Sequence, residues 1–236
     1  MTKIAIFGYR GFFGSALHAA AEKNPDLRIS AIDRQNFEQT LAESEEFEFV
    51  INAAMPSARF WAENNPSSDF EETVSKTMKI AEAFPSAKIV QISTVSARLQ
   101  LDKVYGRNKL AAESLLDAAK HLIFRLGPLY GDQLQKGVIM DIVGDADVYV
   151  SGDTRYAFTP VDWLAGAVLE NLDLTGVHEI GARGGVVLEA MAAELGSRSR
   201  FVGGNDDQVF EAAFHGAPDA SDVMEFARNL KTGDVR

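Results

Sequence analysis

A doubly wound, parallel α/β sheet with helices on both faces and a small C-terminal lobe is the fold class this sequence predicts. Three observations predict it. Short, β-branched apolar runs alternate with stretches of helical spacing. The first such run leads directly into a glycine-rich turn and then a helix. Beyond about residue 133 the alternation gives way to short pieces divided by glycine and proline. Alternation of this kind builds βαβ units, and their crossovers produce a parallel sheet covered on both sides.

Taken in order, the strands are expected over residues 3–7, 28–32, 49–52, 88–92, 121–125 and 177–180, each bounded by turn signals. Helices are expected over 13–23, 36–44, 70–83, 105–119 and 161–172. Leu110, Leu115, Leu116 and the alanines around them carry the spacing of a helix packed on a sheet. Residues 133–156 mix a short helix-like piece with 148–150 and a Gly152-Asp153 turn. From about Leu188 two or three short helices follow, divided by Gly203-Gly204 and residues 216–218. The division expected is a core over 1–132 and a lobe over 133–236, with a segment near 157–185 returning to the core. Residues 231–236 are polar and expected to fray.

The 236 residues suit one compact domain or a core with a small lobe, and 46% hydrophobic content supports a sizeable interior. A net charge of −11 argues against nucleic acid and anionic membrane as partners. The absence of cysteine excludes disulfides, thiolate catalysis and Cys-ligated metals. The apolar run 4–7 is too short for a signal sequence and breaks at Gly8, so a soluble cytoplasmic protein is expected.

Gly8-Tyr9-Arg10-Gly11-Phe12-Phe13-Gly14 follows the first strand and opens a helix. In that context Gly8 permits a tight turn, Gly11 the close approach of a pyrophosphate, and Gly14 close helix–strand contact. The N–H groups of Phe12 and Phe13 face the phosphates at the positive end of the helix, and Arg10 lies in the same turn. Asp33 ends the second strand, 19 residues beyond Gly14, where an acid accepts hydrogen bonds from an adenosine ribose. An acid there favours NAD. The neighbouring Arg34 can pair with a 2′-phosphate or stack on adenine, which leaves NADP open. Ala53 and Ala54, after Asn52, either let backbone lie against the cofactor or only permit tight packing. These features predict a Rossmann-type dinucleotide-binding core.

Tyr105 and Lys109 stand at i and i+4, on one helix face. A free tyrosine, with pKa near 10, is a poor base at neutral pH, and a cation one turn away would lower that value. Lys109 is placed to do so and to hold the nicotinamide ribose. Ser93 and Thr94 end a strand upstream, and the Thr94 hydroxyl can donate to a substrate oxygen. Together these point to hydride transfer to or from a carbonyl. His18, His121, His178 and His215 lack ligand spacing, so no metal is expected. Trp61 and Trp163 read as partly buried anchors, and residues 43–46 as a solvated acidic turn. Arg59, Arg98 and Arg155 are candidates to grip a diphosphate.

The chain resembles the extended short-chain dehydrogenases/reductases, the NAD-dependent epimerase/dehydratase family. Residues 8–15 are similar to its GxxGFIGS turn, Ile92-Ser93-Thr94 to its Ser/Thr strand end, and residues 105–109 to its YxxxK. Residues 121–131, HLIFRLGPLYG, resemble the strand and loop behind the nicotinamide, which adds Leu126 and Gly127 to the cofactor contacts, beside Ser93, Tyr105 and Lys109 of the two earlier motifs. FTPVDWLA at 158–165 resembles a later helix start. Within the family, VINAA, IST, VYGRNKLAAE and HLIFR look closest to sugar ketoreductases of the dTDP-4-dehydrorhamnose reductase type. The resemblance implies reduction of a keto group on a nucleotide-activated sugar by NAD(P)H, with Thr94, Tyr105 and Lys109 as the catalytic set. A nucleotide-sugar epimerase is the alternative, and a non-catalytic dinucleotide-binding regulator the second. It also implies a homodimer paired through the helix carrying Tyr105, where Ala111, Ala112, Ala118 and Ala119 would suit either a partner helix or the sheet.

The sequence departs from the family pattern in three places. Thr94 and Tyr105 are only 11 residues apart, where the family has a longer substrate-facing insert. Thr73 stands where an asparagine is common. Val95-Ser96 follows Thr94 in place of the Asp-Glu pair of the dehydratases, which argues against water elimination.

Overall fold

The alternating runs fold as expected into parallel strands, and a computed structural model describes residues 1–43 and 45–233. In chain order the elements begin β1 (Thr2–Phe7), α1 (Phe12–Glu22), β2 (Leu27–Ile32), α2 (Phe37–Ala42), β3 (Phe49–Asn52), α3 (Arg59–Asn64) and α4 (Pro66–Phe70). A π turn (Glu71–Ser75) then leads to α5 (Lys76–Ala83), β4 (Lys88–Thr94), α6 (Ser96–Leu99), α7 (Val104–Ser114) and β5 (Leu122–Leu126). The rest comprises β6 (Leu129–Tyr130), α8 (Val138–Val143), β7 (Arg155–Tyr156), β8 (Thr159–Pro160), α9 (Val161–Glu170), β9 (Gly176–Ile180), β10 (Val186–Val187), α10 (Leu188–Glu194) and α11 (Val223–Thr232).

Two compact units divide the chain. The first comprises Met1–Leu126 and Ala165–His178, and the second Gly127–Leu164 and the chain from Glu179. The central sheet has the order β2-β1-β3-β4-β5-β9. β1 pairs in parallel with both β2 and β3, placing Phe7 beside Ile32 on one side and Asn52 on the other. The strand order therefore reverses at β1, and the crevice beyond the carboxyl ends of β1 and β3 is the ligand position in open α/β sheets. Ile4 to Phe7 and Val50 to Ile51 are fully buried, because a sheet covered on both faces leaves no polar side for its central strands. Phe7, Phe37, Phe47 and Phe84 form the aromatic centre of this unit's core. His121 is structural: its Nδ1 accepts the Ile89 amide.

The second unit has its own core, built from Tyr130, Ile139, Ile142, Tyr156, Phe158, Leu188, Met191 and Val223. β6 runs parallel to β8 and β7 antiparallel to β10.

Several boundaries differ from the sequence-based expectation. The helix expected over 105–119 stops at Ser114, after which Leu116 turns into the core while Leu115 stays exposed. The helix expected over 70–83 starts earlier, at Pro66, whose fixed φ suits a first turn. It is broken by the π turn, where the Thr77 hydroxyl donates to the Thr73 carbonyl at 2.7 Å. Of the helix expected over 36–44, α2 covers Phe37–Ala42. Ser44, which also belongs to the expected acidic turn, lies outside the described residues, as do 234–236 of the polar tail. No described helix is long and apolar enough to cross a membrane, and the described residues hold no group of three His, Asp or Glu suited to a metal ion.

Candidate active site

The glycine turn is shaped by contacts that only glycine tolerates. Gly8 takes φ +82°, and a Cβ there would meet the Ala53 carbonyl oxygen and the Ala54 Cα at 2.7 Å. Ala53 and Ala54 thus serve as packing partners of the turn. A Cβ on Gly14 would sit 2.1 Å from the Gly8 carbonyl oxygen, so the helix starts directly against the turn. Gly11 differs: a Cβ there would meet only the Gly8 oxygen, at 3.3 Å. Protein packing leaves that side of the turn open, as a diphosphate lying against the backbone requires. Gly11 is also the N-cap of α1, with no side chain capping the helix and no acid in its first turn. The amides of Phe12 and Phe13 and the helix dipole are left for an anion. On these observations the residues present fit a dinucleotide.

At the end of β2, Asp33 is not free. Its Oδ1 accepts the Gln35 amide at 2.8 Å, and its Oδ2 pairs with Arg10 Nε at 2.8 Å. Arg10 also donates to the Tyr9 hydroxyl at 3.0 Å.

Below the turn lies a buried polar layer. Asn52 Nδ2 donates to Gln91 Oε1 at 3.0 Å and to Thr77 Oγ1 at 3.2 Å, while Asn52 Oδ1 accepts the Ala54 amide at 3.2 Å. This layer fixes the chain as it leaves β3 toward Pro56.

The Tyr105 and Lys109 side chains do face one site, and both are buried. Lys109 Nζ donates to the Pro56 carbonyl at 2.8 Å and lies 5.1 Å from the centroid of the Tyr105 ring. Burial pushes the Tyr105 phenol up to about 12. Arg59 pulls against that rise, Asp69 adds to it, and a hydrogen bond with Thr94 opposes it. The expectation that Lys109 lowers the phenol is not met. Burial drives the amine itself down to about 7, with the carboxylates of Asp69 and Glu113 resisting the fall. A half-neutral amine over the ring is a poor source of positive charge, and Arg59 supplies it instead.

α7 is held over the sheet from three sides. Glu113 is buried and takes a bidentate ion pair from Arg125 of β5, with Nη2 at 2.6 Å and Nε at 3.0 and 3.1 Å. The Ser93 hydroxyl donates to the same carboxylate at 2.5 Å. The side chain of Ser93, expected at the cofactor, is therefore committed to locking β4, α7 and β5 together. Glu63 of α3 accepts the Val104 amide at 2.6 Å and so caps the start of α7. Gly106 closes the short connection, because a Cβ there would meet the carbonyl oxygens of Gln100 and Ser96 at 2.1 and 2.6 Å. Where a longer insert was expected to be lost, α6 and one turn bring the chain from Thr94 to Tyr105.

A family model described as the NAD dependent epimerase/dehydratase family matches residues 4–143. The chain belongs to that family. No curated protein matches it. Among solved structures it is similar to dTDP-4-dehydrorhamnose reductase from Yersinia enterocolitica, with a TM-score of 0.76 and 19% identity over 98% of this chain and 100% of that one. It is also similar to the UDP-Glc/GlcNAc 4-epimerase from Campylobacter jejuni, with a TM-score of 0.75 and 18% identity over 99% and 100%. A dTDP-4-dehydrorhamnose reductase from Clostridium acetobutylicum gives a TM-score of 0.71 and 22% identity over 84% and 82%. At these identities the likeness to solved structures shows the fold.

In this family member, Gly8, Gly11, Phe12, Phe13, Gly14, Arg10, Asp33, Arg34, Ala53 and Ala54 lie along the carboxyl ends of β1 to β3, and Thr94, Tyr105 and Lys109 along β4 and α7. Leu126 ends β5 beside Thr94 and its carbonyl accepts the Val95 amide. Gly127 belongs to the second unit, where a Cβ would come within 2.9 Å of the Phe210 ring. Arg155, a candidate diphosphate grip, is bound by Asp207 within the second unit. The sequence reading missed Asp69, whose Oδ2 accepts from Asn108 at 2.8 Å while its buried Oδ1 has no hydrogen-bond partner among the described residues. Pro66 at a helix start was the available signal, since it places Asp69 in a first turn.

Proposed function

We propose that the protein is an NAD(P)H-dependent ketoreductase acting on a nucleotide-activated sugar or similar small carbonyl compound. The observation that carries this is the placement of the Tyr105 phenol, buried beside Thr94 at the end of β4 and one turn from Lys109, in a chain of this family. Such a phenol is protonated at neutral pH and serves as a proton donor. When bound, a dihydronicotinamide supplies the hydride. The chain's own residues do the rest. Thr94 orients the carbonyl oxygen, and Tyr105 gives its proton to that oxygen as negative charge develops. Arg59 stabilises the phenolate left behind, and Lys109 Nζ holds the nicotinamide ribose with the Pro56 carbonyl as its anchor.

The test is reductant balance across a panel of keto-sugars. Stoichiometric loss of absorbance at the reduced nicotinamide band with formation of an alcohol is expected. Formation of an epimer with no net change at that band would replace the reductase by an epimerase. Dinucleotide binding with no turnover on the panel would leave a non-catalytic regulator. The same proposal includes a cytoplasmic homodimer paired through α7 and its neighbours, supported by the exposed Phe70, which lines a groove with Val104, Arg107 and Asn108 of α7. Light scattering reads it directly, and a monomer mass at working concentration would remove it.

A further inference from the structure

Asp69 is a buried acid that the proposed chemistry leaves unused. It lies on α4, fully buried, and its only side-chain hydrogen bond among the described residues comes from the neutral amide of Asn108, Nδ2 to Oδ2 at 2.8 Å. Its Oδ1 is buried with no hydrogen-bond partner. A carboxylate sealed from water in this way is costly unless a positive charge stands near it. Asn108 is the residue next to Lys109 on α7, so the bond that holds the carboxylate sets it against the turn that carries the amine. Two carboxylates act on Lys109, those of Asp69 and Glu113. Glu113, one turn further along α7, is already balanced by the bidentate pair from Arg125 of β5 and by the Ser93 hydroxyl. Asp69 is bonded only to a neutral amide. The other charged or titratable groups here are Tyr105, whose ring lies 5.1 Å from Lys109 Nζ, and Arg59 of α3, which acts on that phenol. Burial drives the Lys109 amine down to about 7, and Asp69 leads Glu113 in opposing that fall. The charge on the amine also sets its supply of donors. An ammonium has three N–H groups. One is spent on the Pro56 carbonyl at 2.8 Å, which leaves two for the paired hydroxyls of a ribose. A neutral amine in the same place keeps only one.

Granting the dinucleotide site of the proposed function, we propose that Asp69 is a positioning residue that acts through Lys109. From α4 it supplies the counter-charge that keeps the amine an ammonium, with two donors left for the nicotinamide ribose. Asn108 keeps the carboxylate in place. Dinucleotide affinity is thereby tied to pH by an acid that touches neither cofactor nor substrate.

Lysine labelled with carbon-13 at Cε, in the full chain without ligand, reports the ionisation of Lys109 by NMR, with the signal assigned by its loss in Lys109→Met. Asp69→Asn keeps the volume and, with its amide turned, the bond from Asn108, and removes the charge. The Lys109 midpoint in that variant should fall by about one pH unit or more, a tenfold change in proton affinity. Its affinity for NADH and NADPH, read by nicotinamide fluorescence, should be about fivefold weaker than the parent's at pH 7 and within about twofold of it at pH 5.5, because the competent fraction is the protonated one. A purely structural role for Asp69 would leave the midpoint in place and weaken binding equally at both pH values. Either result would overturn this inference and leave the proposed function standing. Stability gives a second reading. Introduced into Lys109→Met, Asp69→Asn should raise the urea midpoint at pH 6, since it removes a buried charge left without its partner. A fall there would also overturn the inference. Failure of the folded parent to bind either dinucleotide would overturn both.

Discussion

Two regions of the first unit handle charge in opposite ways. Around Tyr105 the ionisable groups are buried, with Tyr105 6% and Lys109 3% exposed, and desolvation is the largest influence on each. Around Asp33 the cations stand in solvent and are balanced by direct pairing. Burial moves where a group ionises: the Tyr105 phenol is pushed further from ionisation, and the Lys109 ammonium is pushed toward neutrality. Pairing in solvent changes only what a group attracts, and salt weakens it over a screening length of about 8 Å at physiological ionic strength. Chemistry is thus placed where water is excluded, and recognition of a charged ligand where it is not.

The largest test of this contrast is Tyr105→Phe. Loss of the proton donor should lower kcat on the order of 10²–10⁴-fold while dinucleotide affinity is retained. Full turnover in that variant would end the assignment of Tyr105.

Next in size is Glu113→Ala, which strands the largely buried Arg125 and unties Ser93. A loss of about 3–5 kcal/mol in denaturant unfolding is expected. Arg34→Ala, at the exposed region, should leave the unfolding midpoint unchanged. Comparable losses in both variants would erase the distinction between the regions.

A smaller effect lies in pH. The folded value of Lys109, about 7, is below the ordinary 10.5, so the unfolded chain binds the extra proton between those limits. Stability therefore rises with pH through that window, by about 2 kcal/mol between pH 7 and 9. Tyr105 works the other way. Its raised value supports the folded state fully below pH 10.0, and that support is lost as pH climbs through about 12. Unfolding curves at pH 7, 8 and 9 for the parent and for Lys109→Met provide the check, and the rise should vanish in the variant. A flat parent profile would mean that Lys109 keeps its charge despite burial.

The smallest effect is ionic. Raising salt from low to molar concentration should weaken dinucleotide binding several-fold, as screened surface charges do, and should leave the pH dependence of unfolding in place. A salt-insensitive affinity would put the phosphate in a desolvated pocket instead of at an exposed rim.

Much of the fold could be read from residues alone. Every expected strand appears, because buried parallel strands are written as unbroken apolar runs such as 4–7 and 49–52. The glycine turn was legible for the same local reason, since Gly8 and Gly14 answer contacts within a few residues or at the adjacent strand end. Helix limits were less legible. The stop at Ser114 and the π turn at 71–75 depend on which side chains the core accepts, as Leu116 and Thr77 show.

What the sequence by itself determined was the order of parts: a glycine turn after β1, an acid after β2, a hydroxyl at the end of β4 and a Tyr–Lys pair one turn apart. These are set by short-range spacing and by the periods of strand and helix. Only the tertiary structure decided how those parts are charged. Arg59 and Asp69 reach Tyr105 from α3 and α4, and Glu113 ties α7 to Arg125. Arg10 covers Asp33 from across the turn. Burial and through-space charge depend on which elements meet, and residue spacing carries no record of that.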